Sequence, residues 1–364
     1  MKDCLIDQQQ TLTETPMALL SKMQTPFALQ LHVTEQCNKR CKHCYSDSWT
    51  RNMSFDDFMG IIKQFKRLLR FLRADGTVYL TGGEPLLWRD LLKAIRVLVR
   101  EGIAPRVFTN GTLMTGEFAK ELKRAGTRYV QVSLDGGPDL HDSIRGEGSF
   151  EKAVRGIRYL VGEGIEVTVM VTVMKRNLRD VDSLIAMAEE LGVSRIAFGR
   201  LVPIGNGSEL TSDDLSREDV RELFSLLERR RGETQIEIVQ RDPLWSGVTC
   251  SGFEYSGCSA GQFLLDILVD GTILPCRRLP IPVGNVFENE LLDIFVQSPL
   301  LRHLRNRGNL ECASCEKIRQ CGGCRGVAYA ATGNIDARDP HCFFGDADSL
   351  GEADKVVLTT ISES

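Results

Sequence analysis

From residue 27 onward, short apolar runs rich in β-branched residues alternate with longer amphipathic stretches. The runs are Phe27–Val33, Thr77–Leu80, Arg106–Thr109, Tyr129–Leu134, Glu166–Met174 and Arg195–Val202. Between and after them lie Phe55–Leu72, Asp90–Glu101, Glu117–Gly126, Phe150–Gly162, Leu178–Leu191 and Arg217–Arg230. Strand-length runs followed by helix-length stretches predict parallel strands joined by right-handed crossovers. Six such units predict an α/β fold, a partial (β/α)6 barrel of the TIM type over residues 27–235.

Outside that span the pattern differs. Residues 1–26 are polar, with Gln8-Gln9-Gln10 and two prolines, and read as a lead-in. Past residue 235 the periodicity changes. Phe263–Val269 and Thr272–Leu274 flank Asp270-Gly271, which predicts a hairpin, and a helix is predicted near Leu291–Arg305. Regular structure then thins as cysteines accumulate. The expectation is a small cysteine-rich α+β domain over 236–345 and a tail over 346–364.

Composition narrows the chemistry. With 42% hydrophobic and 26% charged residues and a net charge of −4, the chain reads as soluble, without a dedicated nucleic-acid groove. No apolar run is long enough to span a membrane, and the N-terminus lacks the apolar core of a signal peptide. Twelve cysteines without a secretion signal favour metal ligation over disulfides and place the chain in a reducing, anaerobic cytoplasm.

Three of those cysteines fall within eight residues, Cys37-Asn38-Lys39-Arg40-Cys41-Lys42-His43-Cys44, just after the first predicted strand. Three thiolates in one loop can hold three irons of a [4Fe–4S] cube and leave the fourth iron open to another ligand. The bland alternative is one buried face of a helix, since the spacing is i, i+4, i+7. Chance gives this pattern about once in a hundred such compositions, and the intervening residues are polar, as a loop requires. Thr81-Gly82-Gly83-Glu84-Pro85 follows the second predicted strand, and Val132-Ser133-Leu134-Asp135-Gly136 ends the fourth. In a β/α barrel the loops after the strands gather at one rim, where active sites lie.

Cys-x3-Cys-x2-Cys-aromatic followed by Gly-Gly-Glu-Pro resembles the radical S-adenosylmethionine (SAM) enzymes. The resemblance implies that Cys37, Cys41 and Cys44 hold a [4Fe–4S] cluster whose open iron is chelated by the methionyl group of SAM. It implies reductive cleavage of SAM to a 5′-deoxyadenosyl radical, with an electron donor such as flavodoxin or ferredoxin. Gly82, Gly83, Glu84 and Pro85 match the methionine site. Tyr45 is expected to face the adenine, Ser133 the ribose or carboxylate, and Arg145 the SAM carboxylate. For Ser133 the plain alternative is a loop cap, and for Arg145 a solvated charge.

A second cysteine field comprises Cys250, Cys258, Cys276, Cys312, Cys315, Cys321, Cys324 and Cys342. Gly271-x4-Cys276 and Cys312-x2-Cys315-x5-Cys321-x2-Cys324, closed by Cys342, resemble the SPASM extension, which carries two auxiliary [4Fe–4S] clusters. The usual pattern separates the third and fourth members of the quartet by three residues; here Gly322 and Gly323 leave two. The resemblance assigns Cys312, Cys315, Cys321 and Cys342 to one cluster. It assigns Cys258, Cys276 and Cys324 to the other, with Cys250 as fourth ligand. Cys4 is left incidental. A Cys4 zinc ribbon is the competing account, but it leaves four cysteines unexplained.

Within the family, the SPASM branch implies oxidative modification of a ribosomally made peptide, forming a thioether or carbon–carbon link. With 26 residues ahead of the barrel, no leader-binding domain is expected, so a separate recognition protein is. The alternative is a decarboxylase or related enzyme of haem or tetrapyrrole biosynthesis, with Arg200, Arg277 and Arg278 pairing with substrate carboxylates. A non-catalytic electron carrier or redox sensor is a further alternative, but it has no use for the Gly82–Pro85 loop.

Overall fold

The computed structural model describes residues 26–46, 50–248 and 257–344. Seven strands run in sequence: β1 (Phe27–Thr34), β2 (Gly76–Gly82), β3 (Ala104–Thr109), β4 (Tyr129–Ser133), β5 (Glu166–Val173), β6 (Arg195–Arg200) and β7 (Glu237–Gln240). Each pairs in parallel with the next. The helices between them are α1 (Phe55–Leu72), α2 (Leu91–Arg100), α3 (Gly116–Ala125), α4 (Pro138–Arg145), α5 (Ser149–Gly162), α6 (Val181–Glu190) and α7 (Arg217–Glu233). All six expected strand–helix units are present. The seventh strand, β7, lies beyond the expected barrel boundary at residue 235.

The sheet does not stop there. β8 (Leu264–Ile267) lies parallel to β1 on its other side and forms the expected hairpin with β9 (Thr272–Leu274), followed by β10 (Gly284–Asn285). One ten-stranded sheet therefore runs β10-β9-β8-β1-β2-β3-β4-β5-β6-β7, and the C-terminal region continues the barrel sheet directly.

Strand alternation builds the interior. On β4, Val130 and Val132 are buried in the hydrophobic core, while Gln131 and Ser133 point to the opposite face and line a cleft. Met170 and Thr172 of β5 do the same between Val169, Val171 and Val173. The outer face packs on helical stripes such as Phe58, Ile61, Ile62, Phe65, Leu68, Leu69 and Leu72 of α1, which the Ser54 side chain caps by accepting from Asp57 N.

The predicted helix over Leu291–Arg305 is two helices, α9 (Leu291–Gln297) and α10 (Pro299–Arg305). Pro299 has no N–H to continue the first helix, so it opens the second, and Ser298 caps it. Two further helices, α8 (Pro243–Val248) and α11 (Arg325–Thr332), complete the described chain. No helix among the described residues is long and apolar enough to cross a membrane.

Candidate active site and cysteine centres

A cleft of ≈ 1100 Å³, a volume that includes space open to solvent, lies where the six strands β1 to β6 end. Cys37, Cys41, Cys44, Tyr45, Gly82 and Gly83 line it, and so do Ser133 and Arg145. The cysteine segment is a turn-rich loop without helix, which removes the buried-helix reading of its spacing.

The glycines bring two loops together. A Cβ at Gly82 (φ 126°) would stand 2.1 Å from the Thr34 carbonyl oxygen, and one at Gly83 would stand 2.2 Å from that of Gln36. Without them, Gly83 N and Glu84 N donate to Thr34 O and Gln36 O at 2.7 Å each. The backbone that the glycines approach is thus the start of the cysteine loop. Pro85 opens a short turn, Pro85–Leu87. Glu84 is fully buried and accepts from Thr109 Oγ1 at 2.7 Å, Asn110 N at 2.8 Å and Leu86 N at 3.2 Å. Burial pushes its carboxyl up to about 7 despite those donors.

Arg145 is no solvated charge. Its side chain is 10% exposed, and its Nε donates to Asp135 Oδ2 at 2.6 Å. Its Nη1 stands 3.9 Å from Cys41 Sγ. Burial alone would raise the Asp135 carboxyl, but Arg145 and His43 outweigh it and hold the group down at about 2. Tyr45 sits edge-on to His32, 5.8 Å between ring centroids, with the Arg277 guanidinium 5.5 Å from its ring.

The later cysteines form two groups. Cys312, Cys315, Cys321 and Cys342 line a second hollow of ≈ 280 Å³. Cys258 lies close enough to both Cys276 and Cys324 for its charge to bear on each. Gly322 (φ 68°) and Gly323 (φ 62°) form a left-handed turn that sends Cys321 to the first group and Cys324 to the second. The two-residue spacing is therefore a turn only glycine makes easily. Cys250 and Cys4 lie outside the described residues. All ten described cysteines are free.

Residues 31–188 match the family model for the radical SAM superfamily, and residues 258–325 match that of the SPASM iron–sulfur cluster-binding domain. The chain is 30% identical to the Fe-coproporphyrin III synthase of Methanosarcina barkeri, covering 86% of each chain.

The chain belongs to the radical SAM superfamily.

Other relatives of this radical SAM/SPASM enzyme include the AdoMet-dependent heme synthase of the same organism, 28% identical over 90% of this chain and 99% of that one. The mycofactocin maturase MftC of Mycolicibacterium smegmatis is also 28% identical, over 89% and 84%. In three dimensions the enzyme superposes on Streptococcus suis SuiB bound to S-adenosylmethionine with a TM-score of 0.71, at 20% identity, covering 90% and 80%. Its two domains imply [4Fe–4S] clusters and SAM as cofactors.

The residues present fit such groups. Lys39 N, Arg278 N and Gly323 N each approach the sulfur two residues back, Cys37, Cys276 and Cys321, at 3.4, 3.5 and 3.2 Å. Backbone donors aimed at sulfur favour thiolates. They are needed, because burial pushes the thiols up, Cys37 to about 11 and Cys321 to about 12. Arg325 Nε and Nη2 are buried with no hydrogen-bond partner among the described residues, and the Arg325 charge bears on Cys312, so a positive charge stands near the quartet. Among the described residues no three His, Cys, Asp or Glu side chains stand close enough to share a single ion.

Several site residues escaped the sequence reading of this radical SAM enzyme. His43, taken there for a polar loop residue, is 8% exposed at its side chain, with Nε2 3.3 Å from Asp135 Oδ2 and 3.2 Å from Arg145 Nη2. Burial pushes its pKa down to about 4. Asn110 also lines the cleft and ties Asn38 at 2.9 Å. Arg200, expected among the substrate-facing arginines, is fully engaged elsewhere. Its guanidinium meets Asp242 at 2.5 and 3.0 Å and Asp339 at 3.1 and 2.8 Å. Sequence offers one signal for His43, its place between two cysteines, and none for the Arg200 contacts.

Proposed function

We propose that this enzyme cleaves SAM reductively and oxidises an organic substrate held in the cleft. A cluster held by Cys37, Cys41 and Cys44 would, when bound, supply the electron that cleaves SAM into methionine and a 5′-deoxyadenosyl radical able to take a hydrogen atom from the substrate. The observation that carries the reading is convergence. The cysteine loop, Gly82 and Gly83, Ser133 and Arg145 come from four separate stretches of chain and meet at one cleft, while Glu84 and Pro85 are buried behind it.

The chain's own residues divide the work. Gly82 and Gly83 fix the SAM-side loop against the cysteine loop, and Tyr45 and Ser133 line the wall beside it. Arg145, held by Asp135, offers a fixed positive charge for the SAM carboxylate. Cys312, Cys315, Cys321 and Cys342 would hold one auxiliary cluster. Cys258, Cys276 and Cys324, with Cys250 as fourth ligand, would hold the other. The electron for SAM cleavage would come from a flavodoxin or ferredoxin. Anaerobic reconstitution, reduction and chromatography for 5′-deoxyadenosine test the reading; absence of that product from the wild-type protein sinks it.

Two substrate classes compete. A carboxylated tetrapyrrole agrees with the names of the heme-pathway relatives and with the positively charged cleft. A ribosomally made peptide agrees with the name of the maturase relative. Incubating the reduced enzyme with Fe-coproporphyrin III and following loss of carbon dioxide by mass spectrometry separates them. Co-expression with a neighbouring short peptide, read as a loss of two hydrogens, tests the second.

A further inference from the structure

Lys39, Arg145, Arg200, Arg277 and Arg278 all face the cleft, and no Asp or Glu appears among its described lining residues. The whole chain carries a net charge of −4, so this wall is a local concentration of positive charge.

The partners of the four arginines tell them apart. Arg145 is committed to Asp135, and Arg200 to Asp242 and Asp339. Arg278 is half-buried, and the charges of Cys324, Cys276 and Asp242 hold it protonated against the cost of leaving water. Arg277 has no carboxylate partner and makes no hydrogen bond among the described residues. Its one contact of note is the Tyr45 ring, 5.5 Å away, which accepts a cation but engages none of the guanidinium's N–H donors in a hydrogen bond.

Its position matters as much as its freedom. Arg277 follows Cys276 in the chain and stands over Tyr45, which follows Cys44. Its charge is felt at Cys44. It therefore stands between the first cysteine site and the Cys258–Cys276–Cys324 group.

We propose that Arg277 is the residue that anchors a substrate carboxylate, holding the substrate between those two sulfur sites. The inference rests on the functional reading above and deepens it. A planar guanidinium with all its donors free is matched to a carboxylate by two parallel N–H···O bonds, and lysine reproduces only the charge.

The test compares wild type, Arg277→Gln and Arg277→Lys, each reconstituted with iron and sulfide. The probes are coproporphyrin III, which carries four carboxylates, and its tetramethyl ester, with binding followed by porphyrin fluorescence. Wild type should bind the acid at least about tenfold tighter than the ester, a difference one good charged pair supplies. Arg277→Gln should abolish most of that preference and Arg277→Lys restore part of it. Iron content, SAM affinity and 5′-deoxyadenosine formed without substrate should stay at wild-type levels. Preference for the acid retained in Arg277→Gln, or absent from wild type, overturns the proposal. A loss of SAM affinity in Arg277→Gln also overturns it, because the carboxylate held would then be that of SAM. Failure of the SAM-cleavage reading is seen separately, as no 5′-deoxyadenosine from wild type.

Discussion

Around Cys37, Cys41 and Cys44 the supporting structure is a parallel sheet, whereas around Cys312 to Cys342 it is mainly arginine side chains. The first loop leaves β1 and is pinned to the end of β2 by backbone hydrogen bonds from Gly83 and Glu84. In the second region, residues 306–324 are turns and irregular backbone, with one short 3₁₀ turn at Arg307–Asn309 and no strand. There Arg307 Nη1 donates to the carbonyls of Ile318 and Arg319, and Arg325 Nη1 to those of Ile335 and Ala337 at 2.7 and 2.8 Å. Arg200, from β6, reaches across to Asp339, whose Oδ2 also accepts from Cys324 N at 2.9 Å. One site rests on ladder hydrogen bonds, the other on guanidinium groups that take their place. The lesson is that the two should fail in different ways.

The largest expected effect is at the first site. Replacing Cys37, Cys41 and Cys44 with alanine should abolish 5′-deoxyadenosine formation and remove about four of the roughly twelve irons that the three proposed clusters would carry. The remaining irons should stay, because Arg307, Arg325 and Asp339 hold the segment that carries the later cysteines. Iron assay and product chromatography read both numbers. Loss of all iron, or undiminished turnover, would break the division into separately built sites.

Next comes Arg200→Met. It leaves Asp242 and Asp339 buried beside each other without their cation, and breaking such a pair costs about 3–5 kcal/mol. At present the Asp339 carboxyl, which burial alone would raise, is held at about 2 by Arg200, its hydrogen bonds and His341. The variant should melt several degrees lower and lose auxiliary iron while keeping the irons of the first site. Arg200→Lys should fall between, since it keeps the charge but not the fork. Equal iron loss from both sites would show that Arg200 supports the fold in general and not the C-terminal cysteines.

The contrast also explains what sequence made visible. Hydrophobic alternation and short motifs report local structure, so the strands, most helices and the first cysteine loop were legible. β7 was not, because Glu237–Gln240 is too short to stand out. The break at Pro299 was missed because the apolar spacing runs across it. Contacts such as Arg200 with Asp339, or His43 with Asp135, join residues 139 and 92 positions apart, and no spacing rule encodes them. Cleft charge was legible only as a list: all four arginines were named, Arg145 for SAM and the other three for substrate, and only the fold distinguishes Arg277 from the paired Arg200.

A smaller effect is expected at the turn dividing the later cysteines. Gly323→Ala must adopt φ near 62°, and its Cβ would stand 2.7 Å from Arg325 Nη2 and 2.9 Å from Asp339 Cβ. The backbone alone costs about 1–2 kcal/mol. Because the turn sets the direction of Cys324 relative to Cys321, electron paramagnetic resonance of the proposed auxiliary clusters should change while the signal of the first site does not. Unchanged auxiliary spectra would mean that the turn is tolerant and the glycine spacing incidental.

The smallest effect separates the sites by pH. Glu84 belongs to the ladder-built region, and burial raises its carboxyl from 4.5 to about 7. A raised acid pKa means that the folded protein holds this proton more tightly than the unfolded chain does. Stability from this group is therefore greatest below pH 4.5 and declines until pH passes about 7. Between about pH 6 and about pH 8 the decline should amount to about 1 kcal/mol. Glu84→Gln keeps a carbonyl acceptor for Thr109 or Asn110 but cannot ionise. The difference in urea midpoint between the two pH values should therefore shrink in the variant. Comparing variant with wild type cancels every other titrating group, including the thiols. An identical pH response in both proteins would mean that the Glu84 carboxylate is already ionised at the lower pH. Its three donors, Thr109, Asn110 and Leu86, would then outweigh the cost of burial.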